Sequence, residues 1–370
     1  FMIIGVLKED EPESRVSLLP EHIASLVKSS IEVLVESDAG IRAFSNNAAY
    51  EKEGAKIAPK ADILSKADIL LSIHDQNFIE YPGIKGKVLI GMYAALTNRE
   101  HMFTFAQKGA TVFSMEMLPR TTRAQSMDIL SSQANIAGYK AVLLAAARLP
   151  KYFPMFMTAA GTIAPAKVLI LGAGVAGLQA IATARRLGAV VEVFDTRPAV
   201  KEEVQSLGAK FIVVEGAADA SQAGGYAVTQ TEEFLQGQKA RIKESAIKAD
   251  VIITTAQIPG KPAPKLITTD MLDEMKPGSV IIDLAALTGG NTDKTENNQT
   301  VIYNRITIIG DSSLQNIMPS DASKLYGKNI LNFLKLITTA DGQLHLNFED
   351  DLVKGSCVAH DNLIINDRLK

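Results

Sequence analysis

Short runs of apolar, mostly β-branched residues recur along the chain, separated by longer stretches of helical pattern. In the first third the runs are Ile3–Leu7, Glu32–Val35, Ile69–Ile73, Val88–Met92 and Thr111–Met115. Farther on come Lys167–Leu171, Val190–Phe194, Lys210–Val214, Val251–Thr254, Val280–Leu284 and Ile306–Ile309. A strand covered by helices on both faces is apolar throughout, whereas a half-buried strand alternates. Most of these runs are continuous, and the segments between them are long enough for crossover helices. The pattern predicts an α/β protein with two Rossmann-like, doubly wound parallel sheets.

Punctuation supports the division. Gly54-Ala55, Gly109-Ala110, Gly188-Ala189 and Gly208-Ala209 each close a helical stretch and open an apolar run, as a helix C′ glycine does. Lys66–Ser72 and Lys248–Thr254 echo one another, which fits a duplication or the shared grammar of α/β chains. Ser132–Leu149 is rich in Ala, Leu and Val without proline and predicts a long inter-domain helix, 132–149. Pro154 and the loop Gly161–Pro165 then lead into a new strand. Lys324–Ile337 is a second amphipathic helix, after which Thr338–Lys370 can rejoin the start of the chain. The expected organisation is a discontinuous N-terminal domain, 1–131 and 324–370, and a continuous middle domain, 132–323.

Composition narrows the function classes. Of 370 residues, 47% are hydrophobic and 21% charged, which excludes a disordered chain. The net charge of −3 provides no basic field for nucleic acid or acidic lipid. A single cysteine, Cys357, excludes an internal disulfide and a thiolate-cage metal site, and suits a reducing compartment. No apolar run approaches the roughly 18 residues of a membrane span. Phe1-Met2-Ile3-Ile4 lacks a basic n-region, so no signal peptide is expected.

The most specific local motif is Lys167-Val168-Leu169-Ile170-Leu171-Gly172-Ala173-Gly174-Val175-Ala176-Gly177-Leu178, a strand running through G-x-G-x-x-G into a helix. Gly172 permits the tight turn, Gly174 lets backbone approach a pyrophosphate, and Gly177 allows close helix–strand packing. The next strand, Val190–Phe194, ends at Asp195. An acid at that tip accepts from ribose hydroxyls and repels a 2′-phosphate, favouring NAD(H) over NADP(H). Arg197, two residues on, is a residue type that also serves a 2′-phosphate. Gly224-Gly225-Tyr226-Ala227 reads equally as a mobile flap or a surface loop. Thr254–Gly260 follows a strand, where open sheets bind ligands, or is simply a Pro-Gly turn.

Hydride transfer to a carbonyl or imine usually needs a proton donor. The five histidines, His22, His74, His101, His345 and His360, form no recognisable catalytic constellation and no metal pair. His74, beside Asp75 after a strand, is the best candidate acid, or else a surface histidine. An NAD site without an acid–base dyad implies either a nucleotide-binding module or a hydride acceptor that needs no proton. A second nicotinamide is such an acceptor.

One polar segment, Leu118–Tyr139, stands out after the last strand of the first domain. Arg120, Gln125, Asp128 and Ser131 could converge in a turn at the cleft, where guanidinium, amide and hydroxyl groups suit a nicotinamide carboxamide and ribose. A solvated loop and helix cap is the alternative. Here the chain resembles the NAD(H)-binding subunit, domain I, of proton-translocating NAD(P) transhydrogenase, a family that groups with the alanine dehydrogenases. The resemblance runs from Arg15-Val16 to Gly355-Ser356-Cys357-Val358, and is most specific in Pro119–Tyr139, Val168–Pro198, Thr254–Pro264 and Ser279–Asn291.

By motif match, the family's nicotinamide-side set falls on Arg120, Gln125, Asp128 and Ser131. Its nucleotide loop and ribose acid fall on Gly174, Val175, Ala176, Asp195, Thr196 and Arg197, beside Gly172 and Gly177 of the fingerprint. Gly225 and Tyr226 match its mobile loop, and Gln238 a further nucleotide contact. Gln257 stands where the family pattern Thr-Thr-Ala-x-Ile-Pro-Gly leads one to expect an apolar residue on the adenosine side.

Alanine dehydrogenases carry a lysine, a histidine and an aspartate in stretches that read here Leu71-Ser72-Ile73-His74, Met92-Tyr93-Ala94-Ala95 and Ala285–Gly290. All three are missing; Arg15 remains. The resemblance therefore implies NAD(H) bound by this chain and NADP(H) on a partner domain. It also implies a separate membrane proton-channel domain, a homodimer, and a peripheral place on the cytoplasmic face of the inner membrane. A stand-alone amino-acid dehydrogenase and a non-catalytic NAD-sensing module remain the alternatives.

Overall fold

A computed structural model describes residues 2–218, 228 and 230–370. The chain divides into two compact units: Phe1–Gln133 with Asn316–Lys370, and Ala134–Gln315. The long helix spans Ile129–Arg148, three residues upstream of its expected start, because Asp128 caps it. The amphipathic helix expected from Lys324 begins at Pro319 and runs to Ile337. Proline tolerates the first turn of a helix, where no N–H partner is required.

The first unit is built on β1 (Ile3–Val6), β2 (Glu32–Glu36), β3 (Lys56–Ala58), β4 (Ile69–Leu71), β5 (Val88–Gly91) and β6 (Thr111–Ser114). They lie parallel in the order β6-β5-β4-β1-β2-β3. Two later strands, Cys357–His360 and Leu363–Ile364, extend the β6 edge in antiparallel fashion. Alternate residues of β5 explain the unbroken apolar run: Val88 and Ile90 enter one core cluster, Leu89 the other. The run expected over Ile69–Ile73 stops at Leu71. Beyond it the Ile73 N–H leaves the ladder and donates to the Glu9 carboxylate at 2.6 Å.

The second unit opens with a hairpin, β7 (Phe156–Thr158) and β8 (Gly161–Ile163). Its main sheet comprises β9 (Lys167–Leu171), β10 (Val190–Phe194), β11 (Lys210–Phe211), β12 (Val251–Thr254), β13 (Val280–Asp283), β14 (Gln299–Tyr303) and β15 (Ile306–Gly310). The order is β11-β10-β9-β12-β13-β15-β14, parallel except for β14. The run expected over Lys210–Val214 pairs only at Lys210 and Phe211, at the sheet edge. In β9, Val168 and Ile170 face one core cluster, Leu169 and Leu171 the other. The strand order reverses between β9 and β12, the switch point where open α/β sheets hold ligands. Among the described residues, no helix is long and apolar enough to cross a membrane.

Candidate functional site

Every element of the glycine fingerprint lies at that switch point. Gly172 leaves β9 with φ +103°, a conformation that L side chains avoid, and its N–H donates to Phe194 O at 2.8 Å. Gly174 is the N-cap of the Val175–Arg186 helix, and no side chain caps that end. The first-turn N–H groups around Val175 and Ala176 therefore remain available to an anion. A Cβ at Gly174 would meet nothing within 4 Å, whereas one at Gly177 would lie 1.9 Å from Gly172 O. One glycine thus leaves space open, and the other permits close packing.

Asp195 follows β10 and turns back onto the fingerprint. Its Oδ2 accepts from Ala173 N–H at 2.7 Å. Its Oδ1 accepts from Arg197 N–H and Nε, both at 2.8 Å, and Arg197 Nη2 donates to Oδ2 at 2.7 Å. The carboxylate raises the guanidinium pKa, an effect that outweighs burial. Thr196 is half-buried beside them. The two ribose-side candidates are thereby brought together, with the acid fixed against the glycine turn.

Gln238 is buried on the Glu232–Ala246 helix, and its Oε1 has no hydrogen-bond partner among the described residues. Thr254 Oγ1, at the end of β12, is likewise buried and unpartnered among them. Buried orphans of this kind mark where a polar group remains to be satisfied. Together with the open space at Gly174, they fit a dinucleotide. Gln257 is exposed, and its Nε2 donates to Leu284 O at 3.2 Å. Gly225 and Tyr226 lie outside the described residues.

The first unit carries the polar loop. Thr122–Met127 forms a 3₁₀ helix that buries Ala124 and Met127 and leaves Gln125 exposed between them. Asp128 caps the following helix: Oδ1 accepts from Ser131 N–H at 2.9 Å and Oδ2 from the Ser131 hydroxyl at 2.6 Å. The Asp128 N–H reaches Gln125 O at 3.4 Å. Arg120 is exposed at the start of the loop. Asp128 and Ser131 thus form a closed pair, with Gln125 beside it.

What fixes this loop was not apparent from the motif. Arg123 forms a bidentate pair with Asp350 at 2.6 and 2.7 Å, holding the Asp350 carboxyl down to about 2, and also contacts Asp351. Asn329 and Asn332 donate to Ser126 O at 2.8 and 3.1 Å, and Ser132 Oγ donates to Asn329 Oδ1 at 2.7 Å.

The switch point of the first sheet, between β1 and β4, is filled by its own side chains. Arg15 is buried and donates to Glu13 through Nε and Nη2 at 2.8 and 2.7 Å, and to Gln133 Oε1 at 2.9 Å. Burial alone would raise the Glu13 pKa, but the Arg15 and His74 hydrogen bonds hold it well below the usual carboxylate range. His74, the candidate acid, is exposed, with Nε2 2.9 Å from Glu13 Oε2; its neighbour Asp75 pairs with His101 at 2.6 Å instead. Burial pushes the Glu9 carboxyl up to about 7, against the opposing N–H bonds of Ile73 and His74. Among the described residues no three His, Cys, Asp or Glu side chains are grouped to hold a metal ion.

Comparison with known proteins agrees with this geometry. Residues 5–137 match the family model "Alanine dehydrogenase/PNT, N-terminal domain", and 141–367 match "Alanine dehydrogenase/PNT, C-terminal domain". The chain is 46% identical to the first of the separate chains that make up NAD(P) transhydrogenase subunit alpha in Rhodospirillum rubrum, over 100% of this chain and 99% of that protein. It is 43% identical to NAD(P) transhydrogenase subunit alpha of Haemophilus influenzae, over 97% of this chain and 71% of that protein. A solved transhydrogenase structure from Sinorhizobium meliloti superimposes with a TM-score of 0.88 at 43% identity, covering 98% of this chain and 100% of that one.

Proposed function

The chain belongs to the alanine dehydrogenase/PNT family, and on that premise we propose that it is the NAD(H)-binding component of a proton-translocating NAD(P) transhydrogenase. The observation that carries this reading is the fixed Asp195 carboxylate. It is held against the fingerprint by the Ala173 N–H at 2.7 Å, where it accepts from ribose hydroxyls and repels a 2′-phosphate. This chain accordingly takes NAD(H), and NADP(H) belongs to a partner domain.

When bound, NADH supplies a hydride that passes directly to NADP⁺. The chain's own residues bind and orient. Gly172, Gly174, Val175, Ala176 and Gly177 receive the pyrophosphate on backbone N–H groups at a helix N-terminus. Asp195, Thr196 and Arg197 receive the adenosine ribose, with Gln238 and Gln257 as further contacts. Arg120, Gln125, Asp128 and Ser131 orient the carboxamide and ribose of the nicotinamide half. Catalysis is then chiefly proximity and alignment of two rings, so no acid–base dyad is required. A separate membrane domain couples the transfer to proton movement, and this chain works as a homodimer, peripheral on the cytoplasmic face of the inner membrane.

The test is cyclic hydride exchange. The chain is mixed with an NADP(H)-binding partner domain, NADPH, NADH and an oxidised NAD analogue, and analogue reduction is followed by absorbance. Rapid reduction that needs both proteins supports the reading. Tight NADH binding without exchange, in a verified complex, refutes it in favour of a binding module.

A further inference from the structure

We propose that Asn291 is a positioning residue of the nucleotide site, acting through the loop after β12 and the first turn of the fingerprint. This rests on the reading of the second unit as an NAD(H) site. Asn291 is fully buried, and all its polar groups are engaged. Its side-chain Oδ1 accepts from Ala256 N–H at 3.1 Å, while Nδ2 donates to Ala256 O and to Pro264 O, both at 2.9 Å. Holding both the N–H and the C=O of one residue, the amide does for Ala256 what a neighbouring strand does in a ladder.

The amide is itself held rigidly. Asn291 N–H donates to Asp283 Oδ2 at 2.6 Å, and Asn291 O accepts from Leu266 N–H at 2.8 Å and Ile267 N–H at 3.0 Å. Asp283, fully buried at the end of β13, also accepts from Ala285 N–H at 2.9 Å and the Thr295 hydroxyl at 2.6 Å. Lys265 Nζ adds a clasp across the same turn, donating to Gly290 O and Thr292 O at 3.0 Å.

From Ala256 the restraint passes to the nucleotide turn in one residue. Thr255 N–H donates to Leu171 O at 2.9 Å, and Thr255 Oγ1 lies 3.3 Å from both Leu171 O and Gly172 O. On the other side, Gln257 is a proposed nucleotide contact. Asn291 touches neither the fingerprint nor Gln257, yet it sets the backbone on which both depend. Loss of its amide leaves three buried backbone groups unpaired, which the loop relieves by moving.

Asn291→Asp keeps the shape and removes the donor, setting a carboxylate oxygen against Ala256 O and Pro264 O. NADH affinity is measured by nucleotide fluorescence well below the melting temperature. As a stability control, Ile281→Val trims the β13 core away from the loop. The expected result is at least a tenfold rise in the NADH Kd for Asn291→Asp, with no such rise in Ile281→Val at comparable melting temperature. Thr255→Val, which breaks the next link without burying a charge, is expected to raise Kd several-fold, and it carries the test if Asn291→Asp does not fold. Kd values within twofold of wild type in folded Asn291→Asp and Thr255→Val overturn the proposal. Failure of the wild-type chain to bind NADH overturns the NAD(H) reading instead.

Discussion

Replacing Gly174 by alanine separates folding from binding at one atom. Gly174 has φ −76° and ψ −167°, which alanine adopts without strain, and the new Cβ meets nothing within 4 Å. The folded chain loses no contact, while the unfolded chain loses freedom, a gain of about 0.4–1 kcal/mol. For a unit of this size that raises the melting temperature by roughly 1–4 °C. Binding goes the other way. A pyrophosphate hydrogen-bonded to the helix N-terminus occupies the space that the methyl would fill, and such a clash costs about 1–3 kcal/mol. That is roughly a 5- to 150-fold rise in the NADH Kd. The assay is calorimetry for stability and direct excitation of bound NADH for affinity, with no tryptophan emission to correct for. An unchanged Kd in a stabilised variant refutes the placement of the pyrophosphate. A lowered melting temperature refutes the open space.

Gly138→Ala tests the opposite case: its Cβ would lie 2.1 Å from Ala176 O, so backbone must shift. About 1–3 kcal/mol of overpacking, offset by up to about 1 kcal/mol of helix propensity, should lower the calorimetric melting temperature by a few degrees and weaken NADH binding. Gln125→Ala should reduce the hydride-transfer rate more than NADH affinity; equal loss of both argues against an orienting role. Glu9, raised from 4.5 to about 7, contributes stability that is fully present below its unfolded value and lost as pH rises through 7. Glu9→Gln should therefore remove a decline of order 1–3 kcal/mol between pH 5 and 9, seen as a flatter melting temperature against pH. An unaltered slope would show that Glu9 ionises freely.

The parallel strands were legible because burial on both faces leaves a run with no polar interruption, as in Val168–Leu171 and Val280–Ile282. The antiparallel additions were not. Gln299–Tyr303 is largely exposed and carries no apolar signal, and Cys357–His360 becomes a strand only because β6 offers it an edge. Phe156–Thr158 and Gly161–Ile163 are exposed throughout, so no burial period marks them. The same contrast holds at the site. A glycine fingerprint is local and readable. Arg123 with Asp350, Asn329 with Ser126, and Asn291 with Ala256 join residues remote in sequence, and only the fold shows which asparagine or arginine matters. The one local hint, an Asn directly after Gly289-Gly290, does not reveal its partners.

The return of Asn316–Lys370 to the first unit gives synthesis an order. Strands Cys357–His360 and Leu363–Ile364 leave a ribosome long after β6, yet they cover its edge. The second unit is contiguous and holds all its strands once residue 315 has emerged. A nascent chain can therefore complete its middle before its beginning. Until then Thr111–Ser114 presents an unpaired backbone edge, the kind of surface that recruits stray strands. A frameshift or stop before Cys357 would release a polypeptide with a finished insert and an unfinished host. Its hazard would be aggregation through β6 rather than loss of the nucleotide fold.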